Sequence, residues 1–439
     1  MPTTENPPGM MKNYSTKSHL KLADRISQLE SKTDHSELWV TLKKNLTEIA
    51  KDKSPEDLAQ EELYWREVRS SYVLHENFIN LNHGTINPMP VPVKETLVDY
   101  LELCNELPGY WFFEGFREQK EKIRQRLAHL VGVSSDELSL QRNTSSAIET
   151  IIMGYPLEAG DEVILSRQDY PTLVYAWQQR EKYDGISLKW VDVPMPENNK
   201  KALIEPYLNA VSRKTKLIQV MQLFNWNGQI IPLEDLCTEL KDSGVEVLGD
   251  GAHIPGHLQI NITKTGVDYW GASLHKWLSA PIGTGILTMK RDKIERIVPL
   301  MAAETPQSDD IRKFETFGIH NSPLEMTISR ALDYLELVGL DNKTHRLHFL
   351  KNYALDRLEE IKKVDTHTVR DREFSGGLGM FSIEGMKPAE VQEKLFNDYC
   401  IYTVGFEYGG LAGVRISPNI YHSLKELDRL IEAVAEIAR

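Results

Sequence analysis

The chain has 439 residues, of which 41% are hydrophobic and 26% are charged, a composition typical of a globular protein with ample core. Its net charge of −13 argues against a nucleic-acid-binding protein, because such proteins carry a basic surface. Its three cysteines form no C-x-x-C pair and no apolar run resembles a signal peptide or a transmembrane helix, so we expect a cytoplasmic protein without disulfides, a metal site or a membrane segment.

The N-terminal part of the chain predicts a helical arm. Residues 1–17 are rich in proline, threonine, asparagine and serine and are expected to be disordered. From residue 18 to residue 73, leucines and isoleucines recur at spacings of three and four, as in amphipathic helices. Ser-Pro-Glu-Asp at residues 54–57 is typical of a helix start. We expect this arm, residues 1–77 with its disordered start, to pack on the body or on a second subunit.

Two strand-and-turn segments follow the arm. Residues 78–81 predict a short strand that runs into a polar turn, Asn-His-Gly-Thr at residues 82–85. Residues 137–141 predict a second strand, followed by Arg-Asn-Thr-Ser-Ser at residues 142–146 and then by a helix. Hydroxyl groups and free backbone N–H groups at a helix start form an anion site. Any one of these side chains could instead be a simple N-cap.

Two more apolar strands also end in polar turns. Residues 162–165 lead to Arg-Gln-Asp-Tyr-Pro at residues 167–171. Residues 216–223 lead to Phe-Asn-Trp-Asn-Gly at residues 224–228, which by itself is an ordinary turn sequence.

The central segment combines an acid and a lysine at strand ends. Residues 245–249 predict a buried strand that ends in Asp250, and residues 267–272 predict another that is followed by Ser273-Leu274-His275-Lys276. In an open α/β sheet, ligands bind at this carboxyl edge. Pyridoxal 5′-phosphate requires a lysine for its Schiff base, an acid at its pyridinium nitrogen and donors for its phosphate. Lys276 and Asp250 are the candidates for the first two roles.

Three neighbouring residues complete this hypothesis. His253 is the candidate partner of the ring hydroxyl, and Ser273 and His275 are candidate phosphate ligands. The alternative is that the charged residues are ordinary loop charges. A dinucleotide site is excluded, because the glycines at 249 and 251 lack the third glycine of G-x-G-x-x-G, where Ile254 stands.

The C-terminal part predicts a smaller domain. Helical patterns cover residues 324–338 and 344–361, and short strands and a further helix follow them. We therefore divide the body into a large domain, residues 78–322, and a small α+β domain, residues 323–439. Near its end stands Arg415, whose planar guanidinium can hold a carboxylate by two parallel hydrogen bonds. A buried structural arginine is the alternative.

These segments together resemble the fold-type I, class V aminotransferase superfamily, and isopenicillin N epimerase-like proteins most closely. The resemblance covers about residues 78–425 and rests on five separated segments in the right order, among them those around residues 82–85, Asp250, Lys276 and Arg415. It implies an α/β fold with a mixed, mostly parallel sheet in the large domain, pyridoxal phosphate as cofactor, and an amino acid as substrate. It also implies a homodimer with shared active sites.

The resemblance implies further residue roles at matching positions. Thr144 and Ser145 would bind the cofactor phosphate, and Thr284 would reach the phosphate of the neighbouring subunit. Tyr170 would stack on the cofactor ring, and Asn225 would lie near its hydroxyl.

Substrate contacts are implied at three positions, Asn82, His83 and Arg415. The sequence departs from the family at Gly318-Ile319, where a Gly-Thr pair is usual, so that a second contact across the subunit interface is in doubt.

Few residues of the sequence distinguish one reaction type from another. Cysteine desulfurases of the family carry a cysteine on a loop shortly before the carboxylate-binding arginine, and residues 403–410 contain none. C–S β-elimination is therefore our first hypothesis, amino-acid epimerisation or racemisation the second and transamination the third. A non-enzymatic protein that responds to pyridoxal phosphate is the alternative outside enzyme chemistry.

We predict that the purified protein is yellow and that borohydride attaches the cofactor to Lys276. Lys276→Ala should abolish this covalent attachment, which peptide mapping by mass spectrometry detects. A tag on any other lysine would show that the central assignment is wrong.

Overall fold

The structure, a computed structural model, describes residues 16–439. The predicted disorder of residues 1–17 concerns a segment outside the described residues, except for its last two residues, which begin the first helix. The strands are β1 (Ile79–Asn80), β2 (Leu138–Gln141), β3 (Glu162–Ser166), β4 (Ser187–Val191), β5 (Thr215–Met221), β6 (Glu246–Asp250), β7 (Tyr269–Ser273), β8 (Gly285–Met289), β9 (Val364–Thr366), β10 (Gly379–Ile383), β11 (Ile401–Tyr402), β12 (Val404–Tyr408) and β13 (Leu411–Ile416). The helices are α1 (Thr16–Asp34), α2 (Glu37–Ala50), α3 (Pro55–Gln60), α4 (Glu62–Ser70), α5 (Val91–Glu106), α6 (Pro108–Tyr110), α7 (Arg117–Val131), α8 (Thr144–Gly154), α9 (Pro171–Asp184), α10 (Lys200–Ala210), α11 (Leu233–Leu240), α12 (Ile262–Thr265), α13 (Ser322–Val338), α14 (Leu340–Glu359), α15 (Pro388–Tyr399) and α16 (Leu424–Ile437). Within residues 16–439, no helix is both long and apolar enough to cross a membrane.

Helices α1–α4 form the predicted N-terminal arm, which packs on the body of the same chain. Ser54 begins α3 as expected: its hydroxyl accepts a hydrogen bond from Asp57 N at 3.1 Å, and the Asp57 carboxylate accepts one from Ser54 N at 3.2 Å. This reciprocal arrangement satisfies backbone donors that a helix start leaves free. Tyr64 of α4 donates its hydroxyl to the Val338 carbonyl at 2.9 Å, which ties the arm to α13.

A seven-stranded sheet occupies the centre of the molecule, in the order β2-β8-β7-β6-β5-β3-β4. Strands β7, β6, β5, β3 and β4 are parallel, whereas β8 is antiparallel to both of its neighbours, β2 and β7. The predicted mixed, mostly parallel sheet is thus confirmed. Because β2 runs in the same direction as β7, the carboxyl ends of β2, β7, β6 and β5 meet at one edge of the sheet.

Apolar cores cover both faces of this sheet, which explains why its strands are almost continuously hydrophobic. In β6, Val247 faces the core that includes the arm, α5, α7 and α13, whereas Leu248 faces the core beneath α8 and α9. Trp270 and Tyr269 of β7 are divided between the two cores in the same way. A third core joins α14, α15 and α16 to β10 and β13.

Gly249 and Gly251 owe their place to the packing of one indole. A Cβ at residue 251 would lie 2.0 Å from ring carbons of Trp270, and one at residue 249 would lie 2.7 Å from the same ring. Trp270 is fully buried and donates its indole N–H to Gln222 Oε1 at 2.8 Å. These glycines therefore allow a close approach between β6 and β7 and have no role in dinucleotide binding.

A four-stranded antiparallel sheet, β12-β13-β10-β9, forms the C-terminal part. Strand β1 is parallel to β11 in a separate two-stranded sheet, and Asn82 bridges to Ser417. The segment that carries β1 therefore lies against the C-terminal part, although it precedes the large sheet in sequence. Strands β4, β12 and β13 were missed by the sequence patterns. The predicted boundaries at 77/78 and 322/323 stay predictions.

We predict that Gly251→Ala destabilises the protein by about 1–3 kcal/mol, because the added methyl group overlaps a buried indole. Chemical denaturation would measure the change in the free energy of unfolding. Gly109→Ala is the matched control, since a Cβ there meets nothing within 4 Å. Equal stability of the two variants would contradict the packing described above.

Candidate active site

Three segments that are distant in sequence meet at the carboxyl edge of the large sheet. Strand β6 ends at Asp250, and β7 ends at Ser273, three residues before Lys276. Strand β2 leads into α8, whose first residue is Thr144. The parallel direction of β2, β6 and β7 thus brings these predicted site residues to one place.

Lys276 and His253 form the centre of the site. Lys276 Nζ lies 3.1 Å from His253 Nε2. Burial lowers the pKa of Lys276 to about 8; the negative charge of Asp250 opposes this shift and the positive charge of Arg415 adds to it. A lysine with this pKa is partly neutral near pH 7 and can act as a nucleophile or a base.

Asp250 and His253 are both almost completely buried, at 3% and 2% exposure. Burial raises the pKa of Asp250, while a hydrogen bond from Ala252 N at 2.9 Å and the charge of Lys276 favour its ionised form. Burial lowers the pKa of His253 well below its usual value, and the nearby charge of Lys276 adds to the effect. The imidazole is therefore neutral.

Thr144 and Ser273 are joined at the start of α8. Thr144 N donates to Ser273 Oγ at 3.0 Å, and the two hydroxyl oxygens lie 2.7 Å apart. Asn143 caps the helix by accepting a hydrogen bond from Ser146 N at 2.8 Å. Ser145, in the first turn, is partly exposed. Two hydroxyl groups at a helix N-terminus are an arrangement that anion sites use, and phosphate binding here stays a prediction.

Arg415 of β13 is held entirely by neutral oxygen atoms. It donates to the Asn225 carbonyl at 2.8 Å, to Thr85 Oγ1 at 2.9 Å and to Asn82 Oδ1. A Cβ at residue 84 would lie 2.9 Å from the guanidinium carbon, so Gly84 is required for this approach.

The guanidinium of Arg415 has no carboxylate partner within salt-bridge distance in the described part of the chain. It is 2% exposed, its Nε–H has no hydrogen-bond partner, and burial lowers its pKa to about 10. A buried charge without a counter-ion is costly unless a ligand supplies one. This environment favours binding of a substrate carboxylate over a purely structural role.

Asn225 and Tyr170 are placed by different turns at the same edge. Asn225 follows β5, and its buried Oδ1 has no hydrogen-bond partner. Tyr170 immediately precedes α9 and is 42% exposed. An accessible ring is available for stacking, and its contact with a cofactor stays a prediction.

His83 and Thr284 make internal hydrogen bonds instead of lying free. The two ring nitrogens of His83 contact the Ser417 carbonyl, at 3.0 Å, and the Tyr421 hydroxyl. Thr284 is 1% exposed and donates its hydroxyl to the Pro281 carbonyl at 2.7 Å. The geometry favours a positioning role for His83. The hydroxyl group of Thr284 is not accessible to a second subunit in this conformation. Their predicted ligand contacts stay predictions.

The hairpin of β12 and β13 brings aromatic residues that sequence reasoning missed. Trp226, next to Asn225, stacks on Tyr408 with ring centroids 5.2 Å apart and meets Phe406 edge-on at 4.4 Å. Phe406 in turn lies beneath the Arg415 guanidinium at 5.0 Å. The alternation of aromatic residues before Gly-Gly was the available sequence signal for this hairpin.

Asp169 is a second buried acid that the sequence did not indicate. It has no exposed surface, and it accepts hydrogen bonds from Ser166 N at 3.1 Å and Gln219 Nε2 at 3.3 Å. Burial raises the pKa of Asp169 to about 8, and the charge of Asp250 adds to this shift. Asp169 is therefore mostly protonated at pH 7, which limits its repulsion of an ionised Asp250.

These residues fit pyridoxal phosphate. Four buried polar atoms of the residues described above have no hydrogen-bond partner: Asp169 Oδ1, Asn225 Oδ1, His275 Nδ1 and Arg415 Nε. Each such atom costs roughly 1–3 kcal/mol, which a polar cofactor and substrate would offset by bonding to them. The Lys276 amine matches the aldehyde of the cofactor, and the buried Asp250 matches its pyridinium nitrogen. The start of α8 matches its phosphate.

Comparisons with known proteins give the family and the fold to which this chain is similar. A family model described as "Aminotransferase class-V" matches residues 81–430. The chain is 24% identical over 387 residues to "Isopenicillin N epimerase" of Streptomyces clavuligerus, covering 84% of this chain and 97% of the relative. It is 26% identical over 384 residues to a "Probable cysteine desulfurase" of Halalkalibacterium halodurans, covering 81% and 92%.

A solved structure also shares the fold. The complex between the cystine C-S lyase C-DES and its reaction product cysteine persulfide matches with a TM-score of 0.73 and 19% identity, over 82% of this chain and 98% of that chain. The match confirms the predicted fold class.

We predict that Arg415→Lys raises the KM for the amino-acid substrate about 10–100-fold, because a point charge replaces a planar fork. Cofactor affinity should persist, as measured by absorbance titration. Arg124→Lys is the matched control, since that buried arginine pairs with Glu121 and Glu315 instead. Parallel loss of substrate and cofactor affinity would favour a structural role for Arg415.

We predict that cofactor-free protein reacts with pyridoxal phosphate at a rate that rises with pH and levels off above pH 8. Only the neutral amine of Lys276 is nucleophilic, and its pKa is about 8 instead of 10.5. This difference makes the neutral fraction at pH 7 roughly 300-fold larger than for an ordinary lysine. Stopped-flow absorbance measures the rate, and a continued rise to pH 10 would contradict the lowered pKa.

Proposed function

This chain belongs to the aminotransferase class-V family, and from that membership we propose a pyridoxal-phosphate-dependent enzyme that cleaves the C–S bond of an amino acid by β-elimination. One observation carries the proposal: a partly neutral Lys276 amine lies 3.1 Å from a neutral imidazole, beside a buried acid and a buried arginine without a counter-ion. This set provides a base, an acid and a carboxylate receptor in one site.

Pyridoxal phosphate supplies, when bound, an aldehyde for the lysine and a ring that withdraws electrons from Cα. Lys276 would hold it covalently, and Asp250 would keep a proton at the ring nitrogen. His253 would donate to the ring hydroxyl, with Asn225 nearby. Phosphate contacts would come from the start of α8 and the loop after β7, that is from Thr144, Ser145, Ser273 and His275.

The residues of this chain then perform an elimination that needs one base. Arg415 holds the substrate carboxylate and so orients the Cα–H bond toward the lysine. The substrate amine takes the place of Lys276 on the cofactor, and the Lys276 Nζ that this exchange frees then accepts the Cα proton. The electron pair of the Cβ–S bond leaves with sulfur as a thiolate. Hydrolysis of the released enamine by water gives a 2-keto acid and ammonia, which balances the reaction.

The surroundings of the site support elimination over epimerisation. Epimerisation requires a second acid that delivers a proton to the opposite face of Cα. His83, a candidate for that role, is completely buried and has both nitrogens bonded within the protein. Tyr170 is exposed and suits stacking. Epimerisation stays the second candidate, favoured by similarity to isopenicillin N epimerase over 97% of that relative, and transamination the third.

Persulfide formation on a cysteine of this chain is not part of this proposal. The hairpin that precedes Arg415 carries Phe406 and Tyr408, and none of the three unpaired cysteines lies on it. Cys400 immediately follows α15 and precedes β11. A non-enzymatic role is also disfavoured, because a lysine with a lowered pKa and an unpaired arginine are costly features that catalysis explains.

We further propose that the enzyme is a cytoplasmic homodimer. Three unpaired cysteines are typical of a reducing compartment. The loops at Ile282 and Ile319 expose these side chains by 61% and 84% in the single chain, which suits burial in a subunit interface.

We predict that incubation with cysteine or cystathionine releases a 2-keto acid, ammonia and a sulfhydryl product in equal amounts, the last being hydrogen sulfide from cysteine and a thiol from cystathionine. A dehydrogenase-coupled assay would measure the keto acid, and a thiol reagent would measure the sulfur product. Lys276→Ala should abolish turnover. Lys290→Ala is the matched control, since that lysine pairs with Asp268 at the far end of β7 and should retain activity.

The alternatives give different products in the same experiment. Inversion at Cα with deuterium uptake from heavy water and no keto acid would identify an epimerase. A keto acid that appears without ammonia, and only with a second keto acid present, would identify an aminotransferase.

A further inference from the structure

A single imidazole bridges an indole and the lysine amine. Trp277 Nε1 lies 3.2 Å from His253 Nδ1, and Lys276 Nζ lies 3.1 Å from His253 Nε2. The two residues that contact His253 are adjacent in sequence, in the loop after β7. His253 itself follows β6. The contact therefore joins the loops of two neighbouring parallel strands.

The chemistry of the donors determines where the proton of His253 lies. An indole N–H can only donate, so Nδ1 must accept the hydrogen bond from Trp277. A neutral imidazole carries one proton, which must then be on Nε2. Nε2–H points to Lys276 Nζ, and this amine can accept a hydrogen bond only when it has lost its third proton.

We propose that Trp277 is a positioning residue: its indole N–H holds His253 as the Nε2–H tautomer, and this tautomer selects the neutral amine of Lys276. The inference rests on the proposed function only in treating that amine as the attachment point of the cofactor. The same tautomer presents a hydrogen-bond donor to the ring hydroxyl once the amine is engaged. Trp277 thus prepares both partners of the cofactor before it binds.

The indole is held in place by a second histidine. His257 lies against the Trp277 ring, with centroids 4.3 Å apart. Its Nδ1 donates to the His253 carbonyl at 2.9 Å, and its Nε2 accepts from Gly377 N at 2.7 Å. Lys343 donates to the Trp277 carbonyl. These bonds fix both ends of the indole-imidazole contact.

A glycine brings the two loops into contact. A Cβ at residue 256, whose φ is +74°, would lie 2.7 Å from the Leu278 backbone. The segment with His253 and His257 therefore packs directly on the segment with Trp277. A bulkier residue would separate the imidazole from the indole.

The charged groups around the site are consistent with this proton arrangement. Asp250, on β6, favours the ammonium form of Lys276, whereas Arg415, on β13, disfavours it. Burial disfavours an imidazolium at His253, and the charge of Arg415, the neighbouring His257 and any positive charge on Lys276 add to this effect. A protonated Lys276 would require an acceptor at Nε2, which would move the imidazole proton to Nδ1. Two donors would then face each other at Trp277.

The first experiment measures the tautomer in the full-length chain after removal of the cofactor. Protein labelled with 15N-histidine is examined by long-range 1H–15N correlation, and a His253→Gln sample assigns the resonances of His253. We expect a protonated Nε2 and an unprotonated Nδ1. A proton on Nδ1 in the wild-type protein would overturn the proposal, with no dependence on how any variant folds.

The second experiment removes the indole donor with Trp277→Phe, which retains a ring for His257 to contact. We expect His253 to populate both tautomers and the pKa of Lys276 to rise by about 0.5–1 unit, the equivalent of one neutral hydrogen bond. The pH dependence of the rate of reaction with pyridoxal phosphate measures this shift. A merely structural residue would change stability but not this profile.

Trp65→Phe is the matched control. That indole is also buried and donates to the Leu58 carbonyl at 2.6 Å, but it lies in the N-terminal arm. The Trp65→Phe variant should leave the tautomer of His253 and the pH profile of the reaction with pyridoxal phosphate unchanged. If Trp277→Phe leaves them unchanged too, the proposal is wrong. A protein with the expected tautomer that never binds pyridoxal phosphate would instead refute the proposed function and retain this inference.

Discussion

The site depends on the removal of water from one lysine amine. Parallel strands place Lys276 above the carboxyl edge of the sheet, where burial lowers its pKa to about 8 against the opposing attraction of Asp250. Neither effect alone would suit the chemistry. Full desolvation would leave an amine too weak as a base, and a close ion pair would keep it protonated. The pairing of β6 with β7 sets the balance, because it decides how near the acid and the lysine can lie.

A second buried cation completes the site at a cost to the folded state. Arg415 has three neutral oxygen partners and no carboxylate among the described residues, so its charge is only partly stabilised. A bound carboxylate would offset that cost, and binding to the folded protein alone would raise stability by mass action. The same cost gives selectivity, because a ligand without an anionic group leaves the guanidinium unpaired.

Distant parts of the chain are needed to hold this arginine. Asn82 and Thr85 follow β1, which pairs with β11, whereas Asn225 follows β5 of the large sheet. Arg415, on the four-stranded sheet, therefore links the large sheet to the segment that follows β1 through hydrogen bonds. The hairpin of β12 and β13 adds Phe406 beneath the guanidinium and contacts the turn before Tyr170, since Gln168 Nε2 donates to the Gly409 carbonyl at 3.2 Å. The substrate side of the site thus forms only when the four-stranded sheet and the large sheet are both in place.

The sequence by itself determined the features that local patterns encode. Apolar runs that end in polar residues located Asp250 and Lys276 at strand ends, and the Ser54 cap was readable because its bonds span only three residues. Tertiary structure alone decided the proton positions and charges: the contact of Trp277 with His253, the protonated Asp169, the lack of a counter-ion at Arg415, and the internal bonds of His83 and Thr284. The physical reason is that strand and helix signals arise between near neighbours in sequence, whereas pKa values and tautomers depend on burial and on donors from distant segments.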